Sequence, residues 1–306
     1  MRHGRVTHQQ NAAKKPWLSP AAAGLLCGTG AAMCWAIGLV SSLHGISIGL
    51  TPLEISLYRL CLAGLFFLPF IRSGGAADIR GVGAGRIVAL TLLGGILLVL
   101  FSNAGFLLVP LGHGGVIQPS CAALGGLILA TLVFHERFVP ARIFGGLGLV
   151  AGLCIIGYEA VSTIGVHGIL GDLSFAMAGF CFAIFGVLLK LWRIAPIRAV
   201  AITSVFSLVL LPLQYFVGGF GNMIAAGLRE NVILALVQGV LSGAVATYLF
   251  TRAVVLLGAA RAAVFPALVP PFTLVTGVVF LGNIPTAMQL VGLALVLAGF
   301  RLTQKS

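Results

Sequence analysis

The sequence predicts an all-α membrane protein: ten transmembrane helices in two inverted five-helix repeats, with both termini cytoplasmic. Three observations predict it. The 306 residues are 59% hydrophobic and only 8% charged, with a mean hydropathy of +1.14, whereas a soluble domain carries about 25% charged residues. The basic residues collect in alternate loops. Residues also recur at a fixed offset of 147 along the chain.

The spans come first. Cutting at polar and Gly/Pro-rich breaks gives apolar segments at 20–43, 53–71, 87–109, 115–134, 143–161, 171–191, 199–217, 231–250, 262–281 and 286–301. Each is close to the ~20 residues a helix needs to cross hydrocarbon. In lipid every backbone N–H must be bonded within its own segment, which makes these segments helices. The basic stretch 1–19 reads as a cytoplasmic tail, and the apolar run after it is too long for a cleaved signal core of about 7–15 residues.

Sidedness comes from the loops. With a cytoplasmic N-terminus, the inside receives 16 of the 18 Lys and Arg, the outside only Arg229, and Arg59 lies within a helix. That bias obeys the positive-inside rule. A miscounted helix would have scrambled every later loop. The net charge of +12 is therefore topological, and its scatter over short loops implies no nucleic-acid partner. The partners are a lipid bilayer, the cell inner membrane, and a small-molecule substrate.

The repeat gives the architecture. "AAMCWAIG" at Ala31–Gly38 returns as "AGFCFAIF" at Ala178–Phe185. At the same offset Pro119 matches Pro266, Gly145 matches Gly292 and Gly152 matches Gly299. The repeats span 20–163 and 164–303. Five helices per repeat is an odd number, so the second repeat enters the membrane from the opposite side, as in carriers built on inverted repeats. Gly145, Gly148 and Gly152 form a small-residue face, for which packing within a monomer is favoured over dimerisation.

The order of features resembles a known family. "CWAIG", "TPLEISLYRLCLAG" and "LVFHERFVPARIFGGLGLVAG" in the first half, then "LSFAMAGFCFAIFG" and "VFPALVPPFTLVTGVVFLGNIPTAMQLVGLALVLAG" in the second, look like the two EamA repeats of the drug/metabolite transporter superfamily. Glu136 and Pro270 fit that pattern, while Ala123 and Asn283 stand where it has Pro and Glu. The resemblance implies a carrier of small metabolites, with amino-acid exporters of the YddG kind among its members.

Enzyme motifs fail. "GVLSG" puts Ser242 one place off a rhomboid-type G-x-S-x-G, "HERFV" lacks the second His of a zincin, and the six acids are isolated, so no catalytic residue, metal site or cofactor is expected. "GVGAGR" has glycines without the Lys-Ser/Thr of a phosphate loop. The six cysteines have no paired spacing and read as small packing residues.

Candidate site residues are the polar and aromatic groups placed mid-helix. Trp35, Asn103, Gln118, Phe182, Gln238, Thr247 and Tyr248 form the substrate-binding set, and each amide has the alternative of capping a neighbouring helix. Arg59, Glu54, Pro119, Pro266 and Pro270 form the gating or charge set, with the prolines breaking helices 4 and 9 at depth. Arg59 costs about 2.5–3.5 kcal/mol on insertion scales. Two readings stand for it: snorkelling to the outer interface to pair with Glu54, which is favoured, or facing a central cavity. In helix 2 the offset is shorter, Pro52 and Pro69 having a looser counterpart in Pro196 and Pro212 shifted by three or four residues, and on that register Thr203 occupies the place of Arg59 in the second half.

The functional readings are a secondary carrier for small metabolites, amino acids foremost, acting by alternating access as an exporter or facilitator; a carrier of nucleosides or cationic drugs; a channel; or a non-transporting membrane partner. The acids Glu54, Glu159, Asp172 and Glu230 fall near outer helix ends, and Asp78 and Glu136 near inner ends. No acid at the midplane predicts a facilitator without proton coupling.

Overall fold

Ser19 opens the first helix: its hydroxyl accepts from Ala22 N at 3.2 Å, with Pro20 at the first helical position. Such a cap satisfies one of the orphan amides of a helix start, and proline fits there because it has no amide to satisfy. The computed structural model describes residues 19–109, 111–135, 140–161, 166–281 and 286–304. Glu136, Asn283 and the basic tail 1–18 lie outside the described residues.

The chain forms α1 (Pro20–Ser47), α2 (Pro52–Phe70), α3 (Ala84–Gly105), α4 (Leu111–Phe134), α5 (Pro140–Val161) and α6 (Val166–Leu191). Then come α7 (Pro196–Val217), α8 (Gly221–Leu257), α9 (Val269–Leu281) and α10 (Ala287–Gln304). No strand occurs among the described residues. Seven helices are long and apolar enough to cross a membrane, and shorter apolar helices lie at Ile143–Gly152 in α5 and Leu290–Thr303 in α10.

Two elements depart from the predicted bounds. α8 starts at Gly221, ten residues before the apolar run at 231, and breaks at Gly227 (φ 81°); the stretch around the kink carries Asn222, Arg229 and Glu230, which hydropathy alone excludes. The predicted helix 262–281 begins later, after a short helix at Ala259–Ala262 and a 3-10 turn at Phe265–Leu268. Pro266 starts that turn, and Pro270 and Pro271 fall in the first turn of α9. There a missing N–H costs nothing, so these prolines start helices instead of interrupting one. Of the three expected gating prolines, Pro119 alone sits inside a helix, in α4.

α5 takes α10 as its main partner. A Cβ at Gly145 would lie 2.7 Å from the carbonyl oxygen of Gly299, and one at Gly152 would lie 2.6 Å from that of Gly292. Since Gly145 corresponds to Gly292 and Gly152 to Gly299, each glycine faces the counterpart of the other. That reciprocal contact is the signature of a two-fold axis, here realised inside one chain. The small-residue face is therefore used between α5 and α10.

Two further segments obey the same relation. α3 passes through a π-helical stretch at Leu92–Ile96 and α8 through one at Ala235–Val245, and Leu92 corresponds to Gly239 at the offset of 147. A π stretch adds a residue to the turn and re-aims the side chains beyond it. Both lie against the central helices: Gly239 meets the Tyr58 carbonyl oxygen of α2 at 2.6 Å from an added Cβ, and Gly95 meets that of Thr203 in α7 at 3.3 Å. α2 and α7 cross directly, with no room for a side chain between Gly64 and the Ser204 carbonyl.

Candidate functional site

The packing of α2 and α7 sets the centre of the molecule. α2 is fixed at its start by a capping box: Glu54 N donates to Thr51 Oγ1 at 3.2 Å, and Thr51 N donates to Glu54 Oε2 at 2.8 Å. Asn222 Nδ2 donates to the same carboxylate oxygen at 3.2 Å, and Glu54 is 1% exposed. The carboxylate is thus committed to helix capping. Arg59, a turn and a half further on, does not reach it. This corrects the expected Arg59–Glu54 pair.

Arg59 instead lines a central cavity and an adjoining smaller compartment. Trp35 from α1, Leu98 from α3 and Phe182 from α6 line both compartments as well. Arg59 makes no hydrogen bond or ion pair among the described residues. None of the described acids lines either compartment. Glu230 faces His44 at 2.9 Å at the far end of α1, and Asp78 faces Arg80 at 2.5 Å in the loop after α2.

An aromatic cluster forms one wall. Trp35 and Phe182, counterparts in the two halves, meet edge to face with centroids 5.1 Å apart, and Phe250 stacks at 4.5 Å from Phe182 and 5.4 Å from Trp35. Such pairs add about 0.5–1.5 kcal/mol beyond their buried area. Phe250 was not in the predicted set. Its signal was available, since Gly243, Thr247 and Phe250 recur at helical spacing on the face of α8 that borders the smaller compartment.

The other expected residues divide. Gln118, Pro119 and Pro266 line the larger compartment and Thr247 the smaller. Ser102 Oγ donates to Gln118 Oε1 at 2.8 Å, tying α3 to α4 at the cavity edge. Asn103, Gln238, Tyr248 and Pro270 line neither compartment. Asn103 Nδ2 donates to Ser56 Oγ at 3.1 Å and so joins α3 to α2, while Gln238 Nε2 donates to Gly38 O and Ser42 Oγ at 2.7 Å and joins α8 to α1. Both amides bridge helices, which is the alternative role set out for them. Tyr248 is 39% exposed. One position past Thr247 turns a side chain by about 100°, which carries it off the cavity face.

The chemistry of the centre is that of a binding pocket. It has aromatic and aliphatic walls, a few polar groups and one fixed cation, the mix of surfaces that small-molecule sites present. A protein-family model described as the EamA-like transporter family matches residues 22–158 and, a second time, residues 169–303. The chain belongs to that family. Membership makes it a multi-pass membrane transporter of small solutes, and each EamA unit coincides with one half of the pseudo-symmetric fold. Among solved structures, where 27 chains match, one crystal structure superposes with a TM-score of 0.71 at 17% identity, covering 91% of this chain and 95% of its own. No curated protein matches the chain.

Proposed function

We propose that this EamA-family chain is a secondary carrier that exports small metabolites across the cell inner membrane by alternating access, as a facilitator, with amino acids the first solutes to test. In this reading ten helices span the bilayer and both termini face the cytoplasm. The observation that carries it is the cavity itself, enclosed between helices of both repeats and bordered by Trp35 and Phe182 from matching positions. A site on the axis that relates two inverted halves is reached from either side when the halves rock. The π stretches of α3 and α8 and the kink at Gly227 are the segments that absorb such a motion.

Reconstituted protein tests this directly. Proteoliposomes loaded with unlabelled amino acid should take up labelled amino acid by saturable counterflow that persists without a proton gradient. Flux that never saturates would assign a channel, and uphill accumulation driven by a pH step alone would overturn the facilitator. Sidedness has its own check. Cysteines at exposed Ser73 and Ser47 should react from the cytoplasmic and external faces respectively, and reaction of both from one face would break the topology.

A further inference from the structure

The central cavity holds one charge that no described residue neutralises. An arginine guanidinium stays protonated in proteins and offers five N–H donors in a planar fork. Arg59 lines the cavity without a hydrogen bond or ion pair among the described residues, and no described acid lines either compartment. Burying an unpaired cation is costly, and the fold had an alternative: Thr203 fills the corresponding place in α7 and satisfies its hydroxyl on Ala199 O and Val200 O at 3.0 and 3.2 Å. Of the neighbouring polar groups, Thr203 and Ser102 spend their hydroxyl protons within the protein, while Ser204 and Thr247 also line the smaller compartment. Gln118 Oε1 accepts from Ser102, and the remaining wall is chiefly Trp35, Phe182 and aliphatic carbon.

From this we infer that the transported solute is an organic monoanion, a carboxylate on an aromatic or branched apolar body without a free ammonium group, and that Arg59 is the residue that binds its carboxylate. The inference rests on the carrier reading and departs from it in the solute: it puts an organic anion in place of the zwitterionic amino acid, so that saturable counterflow of phenylalanine would count against it and not against the carrier. A carboxylate accepts two parallel N–H bonds from a guanidinium, and the apolar body is matched by the aromatic wall. A zwitterion would bring an ammonium group to a pocket with no described acid to receive it. A cationic solute would meet Arg59 as a like charge. Nucleosides would hydrogen-bond the guanidinium through base acceptors but bring no negative charge to balance it.

The same charge gives the carrier its direction. An empty centre carries one positive charge, and a loaded one carries none. In a membrane that is negative inside, voltage draws the empty centre toward the cytoplasm, where the anion binds, and the neutral loaded centre crosses without electrical work. Each cycle moves one negative charge out. A potential of 100 mV then supports an outward concentration ratio of about 50 for a monoanion, with no proton involved. Exchange of solute for solute uses only the neutral crossing and should ignore voltage, whereas net efflux should depend on it.

Proteoliposomes with a potassium gradient and valinomycin make this testable, with N-acetylphenylalanine and 3-phenylpropionate as anionic probes, phenylalanine as the zwitterion and phenylalanine amide as the cation. Net efflux of the anions should rise at least about fivefold when the lumen is made 100 mV negative, while their exchange changes less than twofold. Arg59→Gln should lose the thermal stabilisation that the anions give in detergent while keeping its own unfolding temperature, and Arg59→Lys should retain part of it. Phenylalanine moving as fast as its acetylated form, with voltage-insensitive net flux, would overturn the anion assignment and leave the carrier standing. Stabilisation by the anions through Arg59 with no saturable flux of any probe would keep the site and overturn the carrier. If no probe stabilises the wild-type protein, or Arg59→Gln responds as wild type does, Arg59 is not the anion's ligand.

Discussion

α2 and α7 occupy matching places in the two halves, and they solve the problem of a polar position on the axis in opposite ways. Thr203 of α7 borders the smaller compartment but turns its hydroxyl back onto its own helix. Arg59 of α2 has no partner among the described residues and lines both compartments. The scaffold around them is held to two-fold symmetry, down to the reciprocal glycines of α5 and α10 and the π stretches of α3 and α8. Scaffold and charge are therefore separable: the scaffold is held to two-fold symmetry, and one asymmetric residue supplies the charge.

Erasing that asymmetry should cost the most. Arg59→Thr makes α2 match α7, and because hydrogen bonds to charged groups contribute about 1.5–3 kcal/mol, saturable flux of a carboxylate should fall about ten- to a hundredfold at unchanged membrane abundance. Retention of more than half the flux would remove Arg59 from the site.

Packing around the two helices gives the next test. A Cβ at Gly243 would overlap the Arg59 carbonyl oxygen, while one at Gly95 would lie 3.1 Å from Ser207 Oγ and 3.3 Å from the Thr203 carbonyl. Overpacking costs about 1–3 kcal/mol, so Gly243→Ala should lower the unfolding temperature and folded yield clearly, and Gly95→Ala much less. Equal losses would mean that the π stretch of α8 relaxes as freely as that of α3.

Truncating the matched aromatics probes the two halves within the site itself. Trp35→Ala removes a ring that contacts both Phe182 and Phe250 and should lower flux severalfold with little change in abundance. A parallel fall in folded protein would assign Trp35 to packing.

The mildest effect lies in the loops after the two central helices. Beyond α2, Asp78 accepts from Arg80 Nη2 and Nε and from Gly74 N, and the Arg80 guanidinium holds its carboxyl down to about 2. A depressed carboxylate contributes order above its unfolded value of about 3.9 and loses it as pH falls through the folded one. Beyond α7, the turn is held by Gln214 Nε2 donating to Gly219 O at 2.6 Å, which does not titrate. A nitroxide at Ser73→Cys should therefore gain mobility only between about pH 4 and pH 2, and Asp78→Asn should free it at every pH; one at Gly218→Cys should not respond.

Much of the fold was legible in the sequence because lipid makes hydropathy and segment length decisive, and because glycines and prolines recur at one offset. The boundary of α8 was not, since Asn222, Arg229 and Glu230 interrupt the apolar run that a membrane helix requires while an amphipathic turn at its end does not. The π stretches had no readable signal, because backbone register inside an apolar helix is set by what packs on it. In the site, Trp35, Phe182 and Gln118 were found from position along their helices, but position along a helix says nothing of azimuth. That is why Tyr248 stands in the candidate set and Phe250 does not, and why cavity and helix bridging stay open as readings for Asn103 and Gln238 until the structure shows the bridges.

The reciprocal glycines of α5 and α10 also set a timetable for biosynthesis. The face of α5 that carries Gly145 and Gly152 is made first, and its partner residues Gly292 and Gly299 follow only after about 140 further residues. At ~5–20 residues per second the intervening chain takes roughly 7–30 s to make, and through that interval the first half sits in the bilayer with a bare glycine seam. Nascent chains stalled before α10 should accordingly be held by membrane chaperones or proteases at that seam, and the completed helix is what releases them.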